Sequence, residues 1–146
     1  MNAYLDFDYK KARRRARFKR LIGAILSRCN ALISLAEATC GRAVTGHALP
    51  RIEQVPLERI VGSVGRSRDF DRDFNPLNEA SHDRWQRINQ AFLNDIVLPP
   101  VELQKLGNDY YVVDGHHRIS VARYHSMAFI DAEVTQYAYS PQAVAA

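Results

Sequence analysis

The residues best suited to chemistry stand in one short run, Asp114-Gly115-His116-His117-Arg118, between a predicted strand and a predicted helix. The amino end of a helix presents unpaired N–H groups and a partial positive charge, which favour a bound anion. Gly115 would let a ligand approach the backbone, either histidine could donate a hydrogen bond, and Arg118 could fork onto phosphate oxygens. A structural alternative stays open, in which Gly115 makes the turn, Asp114 caps the helix and Arg118 pairs with an acid.

A second candidate is the predicted loop GSVGRSRDFDRDFNP, residues 62–76. Arg66 and Arg68 bring two guanidinium groups into a stretch with the small residues Ser63 and Gly65, which suits the rim of a ligand site. The alternative is a solvated loop, in which these arginines pair with the three aspartates that follow them.

The spacing of the five histidines does not predict a metal site. Adjacent residues such as His116 and His117 point in different directions, and His117 and His125 stand two helical turns apart. We expect instead that any Mg²⁺ would arrive with a nucleotide, with Asp114 or an aspartate of residues 69–73 as its ligand.

The predicted elements that must position these residues are both helices and strands, which indicates the α+β class. Residues 98–106 and 110–114 flank a Gly-Asn-Asp turn and predict a hairpin that leads directly into the histidine run. Further strands are predicted at 52–56 and 129–137. A helix is predicted at about 79–93, with Trp85 on its apolar stripe and Asn78 or Ser81 as its cap.

The basic charge of the chain belongs to its first part. Residues 1–44 hold ten Lys and Arg against three acids, whereas residues 45–146 hold ten against thirteen. Eight of the eleven residues 10–20, KKARRRARFKR, are cationic. This asymmetry indicates an acidic partner, either DNA contacted through its phosphates or an acidic surface of this chain or of a second copy. We predict no membrane partner.

The first part also predicts a helical hairpin. Residues 6–29 carry one apolar stripe at helical spacing, which we expect to be buried on the body or in a homodimer. A second short helix should start at a capping box formed by Ser34 and Glu37. The stripe comprises Phe18, Leu21, Ile22, Ile25 and Cys29.

Length, hydropathy and cysteine content limit the classes of protein to which the chain can belong. The chain has 146 residues, of which 47% are hydrophobic, and no run long enough to span a membrane. The amino terminus does not resemble a signal peptide. Cys29 and Cys40 have no disulfide or metal spacing, so we predict free thiols and a cytoplasmic protein.

From about residue 51 to 137 the sequence resembles the ParB/sulfiredoxin superfamily. The resemblance is carried by LPPVELQKLGNDYYVVDGHHRISVARYHSMAFIDAEV, which has a proline-led strand, a hairpin, a Gly-x-His-Arg turn, a helix and a closing strand. IVGSVGRSRDF and DGHHR resemble small stand-alone ParB-like proteins, often labelled nucleases. We therefore predict a basic helical segment at 1–44, a linker at 45–50, a compact ParB/sulfiredoxin-like domain with a small mixed sheet at 51–138, and a loose tail at 139–146.

The resemblance implies nucleotide binding, because the matching turn holds the phosphates of CTP, ATP or ADP in relatives. Carried over by position, Gly115, His117 and Arg118 would contact phosphate, and the helix start near Ser81 would add hydrogen bonds. Sulfiredoxin's reactive cysteine is replaced here by His116, so sulfinic acid repair is not expected. The full predicted binding set is Asp114, Gly115, His116, His117, Arg118, Ser81, Arg66 and Arg68.

We thus predict a nucleotide-binding module whose ligand is CTP, ATP or ADP, with or without Mg²⁺. We also predict that it associates with DNA through residues 10–20. The alternative is a small-molecule kinase or a nucleotide hydrolase, which would need a general base near the terminal phosphate. Glu58, Asp69 and Asp71 are the available carboxylates, and the sequence selects none of them. Nuclease activity has the least support, because no carboxylate or histidine cluster has metal-nuclease spacing.

Overall fold

The computed structural model describes residues 3–25 and 30–141 of the chain, and side chains at 6–21 and 30–141. Ile22, Ile25 and Cys29 of the predicted stripe, and the tail beyond residue 141, lie outside the described side chains. The helices are α1 Ala3–Ile25, α2 Leu35–Ala38, α3 His82–Leu93 and α4 His116–Tyr124. The strands are β1 Ile33–Ser34, β2 Val44–Gly46, β3 Arg51–Pro56, β4 Ile60–Ser63, β5 Val101–Leu106, β6 Asp109–Asp114 and β7 Phe129–Tyr139.

The seven strands form one mixed sheet in the order β1-β4-β6-β5-β7-β2, with β3 also paired to β7. Strands β4 and β6 are parallel, as are β5 and β7, whereas β5 and β6 form the antiparallel hairpin predicted from the Gly-Asn-Asp turn. The α+β class and the mixed sheet are therefore confirmed. Strands at 52–56, 98–106, 110–114 and 129–137 were all expected, with boundaries that shift by a few residues.

Helix α4 lies between the sheet and the other helices, which explains why both of its faces are apolar. Ile119 and Ala122 join the buried cluster on the sheet, together with Val101 and Val112 from β5 and β6. On its opposite face Val121 packs in a second buried cluster with Trp85 of α3 and with α1. The amino end of α4 is thus held from both sides.

The amino-terminal segment is a single long helix and not a helical hairpin. Its second helix, α2, is one turn long, although Ser34 and Glu37 do form the predicted capping box. One turn cannot pair along a 23-residue helix, because an α-helix rises only about 1.5 Å per residue. The predicted linker at 45–50 includes part of β2, which pairs with β7.

The face by which α1 packs on the body differs from the predicted stripe. Tyr9, Ala12 and Ala16 are almost fully buried, whereas Phe18 and Leu21 are 63% and 62% exposed. Small side chains let α1 approach α3 closely, and the Tyr9 hydroxyl donates to the carbonyl of Asn78. The expectation that the stripe packs on the body is therefore wrong for the two of its residues whose side chains are described.

A buried polar network reinforces this contact. The Asp8 carboxylate accepts hydrogen bonds from the Asn89 amide of α3 at 3.0 Å and from the Tyr124 hydroxyl of α4 at 2.8 Å. His125 in turn hydrogen-bonds through Nε2 to the Asn89 side-chain oxygen at 2.6 Å. These bonds compensate the cost of burying Asp8, which is 6% exposed. Among the described residues, no helix is long and apolar enough to cross a membrane.

Candidate functional site

The predicted histidine run lies where two parallel strands end at the same edge of the sheet. β4 ends at Ser63 and its parallel neighbour β6 ends at Asp114, so their carboxyl ends lie side by side. The chain leaves β6 through Gly115 and enters α4 at His116 without any further loop. The amino end of α4 therefore faces the loop that follows β4.

Gly115 is required by both conformation and space. Its φ of +103° lies in the left-handed region, and a Cβ atom there would stand 2.5 Å from Val101 Cγ1. No side chain caps α4, so Asp114 does not act as the helix cap. The first N–H groups of α4 consequently have no side-chain acceptor among the described residues.

Arg118 makes the contacts that the structural alternative anticipated. Its guanidinium donates to the Asp114 carboxylate at 2.8 Å and to the carbonyls of Pro99 and Pro100 at 2.6 and 2.9 Å. These bonds hold the proline-led entry to β5 against α4. They also occupy three of the five N–H donors of the guanidinium, which weakens the case for Arg118 as a direct phosphate ligand.

His116 is held by Ser63 across the edge of the sheet. The Ser63 hydroxyl lies 2.7 Å from His116 Nε2, and the backbone N–H groups of Gly65 and Arg66 donate to the same oxygen at 3.2 and 2.9 Å. Ser63 is fully buried and His116 is 5% exposed. One hydroxyl thus ties the loop after β4 to the first residue of α4.

His117 has a buried ring nitrogen without a partner. The residue is 6% exposed, and its Nε2 makes no hydrogen bond with any described residue. His117 lines a small cavity of about 60 Å³ together with Gly115, His116 and two arginines, Arg66 and Arg84. A buried polar atom left unpaired costs about 1–3 kcal/mol.

Burial, assisted by nearby arginine charges, lowers the pKa of both histidines and keeps them neutral near pH 7. Burial lowers the pKa of His116 to about 4, assisted by the charge of Arg66. Burial also lowers the pKa of His117 to about 4, assisted by Arg84 and Arg66, while Asp69 and Asp114 oppose both shifts. The cavity therefore combines neutral imidazoles with two guanidinium groups.

Two predicted binding residues lie away from this cavity. Ser81 is buried at the start of α3, where its hydroxyl donates weakly to the Asn78 side-chain oxygen at 3.4 Å. Arg68 lines a separate cleft of about 920 Å³, which it shares with Arg20 and Arg72. The structure brings together Asp114, Gly115, His116, His117, Arg118 and Arg66, but neither Ser81 nor Arg68.

The three candidate general bases are now distinguishable by position. Asp71 is 2% exposed and accepts hydrogen bonds from Asn75 and from the backbone of residue 73, so it organises its own loop. Burial raises the pKa of the Asp71 carboxyl, although the bonds from Asn75 oppose this shift. Glu58 lines another depression, near Arg123. Of these three carboxylates, only Asp69 acts electrostatically on both histidines of the cavity.

Residues that could hold a metal are not clustered in the described part of the chain. No group of three or more His, Cys, Asp or Glu side chains there is placed to hold a metal ion. A metal accompanying a nucleotide would have Asp69 and Asp114 as its nearest carboxylates, and Asp114 is paired with Arg118.

Sequence reasoning missed the contribution of α3 to the cavity. Arg84 stands three residues after Ser81, so it lies on the same side of the helix one turn further along. The prediction that the start of this helix contributes to the site therefore named Ser81, whereas Arg84 lines the cavity. Helical spacing could have indicated Arg84, but only the tertiary structure shows that Arg84 lines the cavity and that Ser81 does not.

Comparison with known proteins finds a similarity of structure. No family model matches the chain, and no curated protein matches it. Among solved structures, the chain is similar to sulfiredoxin from Arabidopsis thaliana, with 18% sequence identity and a TM-score of 0.47. The similarity covers 61% of this chain and 89% of that one.

Proposed function

We propose that the chain binds a phosphate group of a nucleotide in the cavity at the amino end of α4. The observation that carries the proposal is the cavity at the amino end of α4, which is lined by Arg66, Arg84 and His117, the last of which has a buried, unpartnered Nε2. An uncapped helix end adds N–H donors and a partial positive charge on the same side. Donors and positive charge converging on one small space favour a tetrahedral oxyanion.

The charge balance of the cavity supports an anion over a cation. Neither Arg66 nor Arg84 makes an ion pair with a described residue, whereas the Asp114 carboxylate is neutralised by Arg118 at 2.8 Å. Arg118 thus contributes indirectly, because it removes a repulsive negative charge from the rim. A direct contact between Arg118 and phosphate stays a prediction and would require release of Asp114.

The size of the cavity limits which part of the ligand it holds. About 60 Å³ suits one phosphate group, whereas whole ligands the size of a nucleotide occupy pockets of about 300–1,000 Å³. The nucleoside would therefore lie outside the cavity, over the exposed side chains at its rim. This arrangement gives little selection among bases, so CTP, ATP and ADP are all candidate ligands.

A thermal-shift panel of CTP, ATP, ADP and GTP, each with and without Mg²⁺, tests the proposal. A ligand at one hundred times its Kd stabilises the native state by about 2.7 kcal/mol, which corresponds to a rise in melting temperature of roughly 5–10 °C. Arg84→Ala should abolish the rise, and Arg87→Ala, an exposed arginine on the same helix, should preserve it. Absence of a shift with every nucleotide would contradict the proposal.

Turnover of the nucleotide is the second candidate, and the position of Asp69 supports it. Its carboxylate influences both cavity histidines, and among the described residues it is engaged only by a long hydrogen bond from Asn78 at 3.4 Å. If the chain is a kinase or hydrolase, Asp69→Asn should abolish formation of nucleoside diphosphate and leave nucleotide binding largely unchanged. No diphosphate above a buffer control with the unaltered chain would leave binding as the only activity.

A further inference from the structure

Ser63 is placed to control how the candidate phosphate site presents its donors. The residue ends β4, is fully buried, and contacts both walls of the cavity at once. On one side it holds the backbone of Gly65 and Arg66, and on the other it meets the ring of His116. It was singled out in the sequence only as a small residue of a flexible loop.

The hydrogen-bond capacity of one hydroxyl decides the direction of each bond. A serine hydroxyl has two lone pairs and one proton. The N–H groups of Gly65 and Arg66 occupy the two lone pairs, so the proton remains for His116 Nε2 at 2.7 Å. The other acceptor in reach, the Val112 carbonyl, is 3.4 Å away and already accepts the Val64 N–H at 2.9 Å.

This direction determines the tautomer of His116. A ring that accepts at Nε2 is neutral and carries its proton on Nδ1. Within the described part of the chain no acceptor is hydrogen-bonded to that Nδ1–H. A ring that donated from Nε2 would instead bring a third donor to the saturated Ser63 oxygen.

We propose that Ser63 is the positioning residue of the phosphate site: it holds His116 as the Nδ1–H tautomer, free to donate to a phosphate oxygen, and holds Arg66 at the cavity rim. This inference rests on the proposed phosphate binding. The burial that lowers the pKa of His116 to about 4 supports it, because the ring is then neutral at pH 7. Ser63 acts through His116 and Arg66 and needs no contact with the ligand.

The test combines ring ¹⁵N NMR of His116 with titration by inorganic phosphate. In the unaltered chain at pH 7, His116 should show a protonated Nδ1 and an unprotonated Nε2. Ser63→Ala should produce a mixture of tautomers and weaken phosphate binding about ten-fold, the effect expected from losing one or two positioned donors. Ser63→Thr, which keeps the hydroxyl, should restore both readings.

Ser120→Ala is the matched control, because it removes another buried serine hydroxyl of this region. Ser120 accepts from the Trp85 indole N–H at 2.9 Å and does not line the cavity. Its loss should change stability and leave the His116 tautomer and the phosphate affinity as they were. A protonated Nε2 in the unaltered chain, or an unchanged spectrum in Ser63→Ala, would overturn the role of Ser63 while phosphate binding stands. No phosphate binding by the unaltered chain would overturn the proposed function itself and, with it, the inference.

Discussion

At the scale of single residues, the two cavity histidines make the stability of the fold depend on pH. Each has a pKa of about 4 in the native state against an ordinary value of 6.5. The unfolded chain therefore binds these protons first, and the native state loses stability as pH falls from about 6.5 toward 4. The contribution is fully present above pH 6.5. His82 acts in the opposite sense, because hydrogen bonds to Asp6 and Asp83 raise its pKa.

We predict that His117→Gln flattens this dependence. Between pH 7 and pH 5 one such histidine contributes a loss of about 2 kcal/mol, and the variant should lack it. Urea unfolding at several pH values measures the free energy of unfolding directly. His47→Gln, at an exposed position, should keep the full slope. Identical slopes in all three proteins would refute the buried, neutral state of His117.

Gly115, which lines the cavity, and Gly65, in the loop after β4, should respond differently to the same substitution. At Gly115 a methyl group meets Val101 and the positive φ is strained, so Gly115→Ala should cost at least about 2 kcal/mol of stability. At Gly65 a Cβ meets no atom within 4 Å, so Gly65→Ala should stay within about 1 kcal/mol of the unaltered chain. Equal losses in chemical denaturation would contradict the geometry of the turn.

At the scale of elements, α1 is attached to the body through small residues and not through its large apolar ones. We predict that Ala12→Arg detaches α1 and exposes Trp85, whose ring lies 5.7 Å from that of Tyr9. Trp85 is the only tryptophan and is fully buried, so its fluorescence emission should shift to the red. Phe18→Arg places the same charge on the same helix at an exposed position and should leave the emission unchanged. A red shift in both variants would show that the described face does not hold the helix.

At the scale of the whole molecule, the cations of α1 divide into paired and unpaired groups. Lys11, Arg14, Arg17 and Arg20 are exposed and make no ion pair with a described residue, and Arg15 lies over the Tyr124 ring. The paired cations are Lys10 with Asp6, Arg13 with Glu79, and Lys19 with Asp73. We propose that Lys11, Arg14 and Arg17 contact the phosphates of DNA, because none of the three makes an ion pair with a described residue.

The salt dependence of DNA binding tests that proposal. Replacing Lys11, Arg14 and Arg17 by alanine should weaken binding and reduce the slope of log affinity against log salt by about 3, one unit for each lost phosphate contact. The equivalent triple change at Arg51, Arg59 and Arg87, exposed cations of the body, is the control and should preserve the slope. The same slope in both triple variants would exclude α1 as the DNA-binding element.

The exposed Phe18 and Leu21 lead to a prediction about assembly. Leaving two large apolar side chains in water forgoes about 1.5–3 kcal/mol for each one that could be fully buried. We therefore propose that a second copy of the chain covers them in a symmetric helix pair. Sedimentation should show a dimer that Phe18→Arg converts to a monomer. A monomer at all concentrations for the unaltered chain would contradict this pairing.

The sequence by itself determined the α+β class, the hairpin that leads into the histidine run, the helix after Gly115 and the capping box of Ser34 and Glu37. These features depend on neighbours within a few positions, where periodicity and turn chemistry act. The strand-to-helix turn at Gly115 could be predicted for the same reason, because a glycine between two regular elements usually forms a turn.

Only the tertiary structure decided which side chains share the cavity and which are already satisfied. The sequence leaves Arg118 open as either a phosphate ligand or the partner of an acid, and only the structure places Asp114 and the two proline carbonyls around it. Arg84 enters the site because α3 packs on α4 at one angle, and α1 buries Ala12 in place of Phe18 because its docking face matches α3. These outcomes depend on contacts between residues that are far apart in the chain, and local sequence patterns do not predict such contacts.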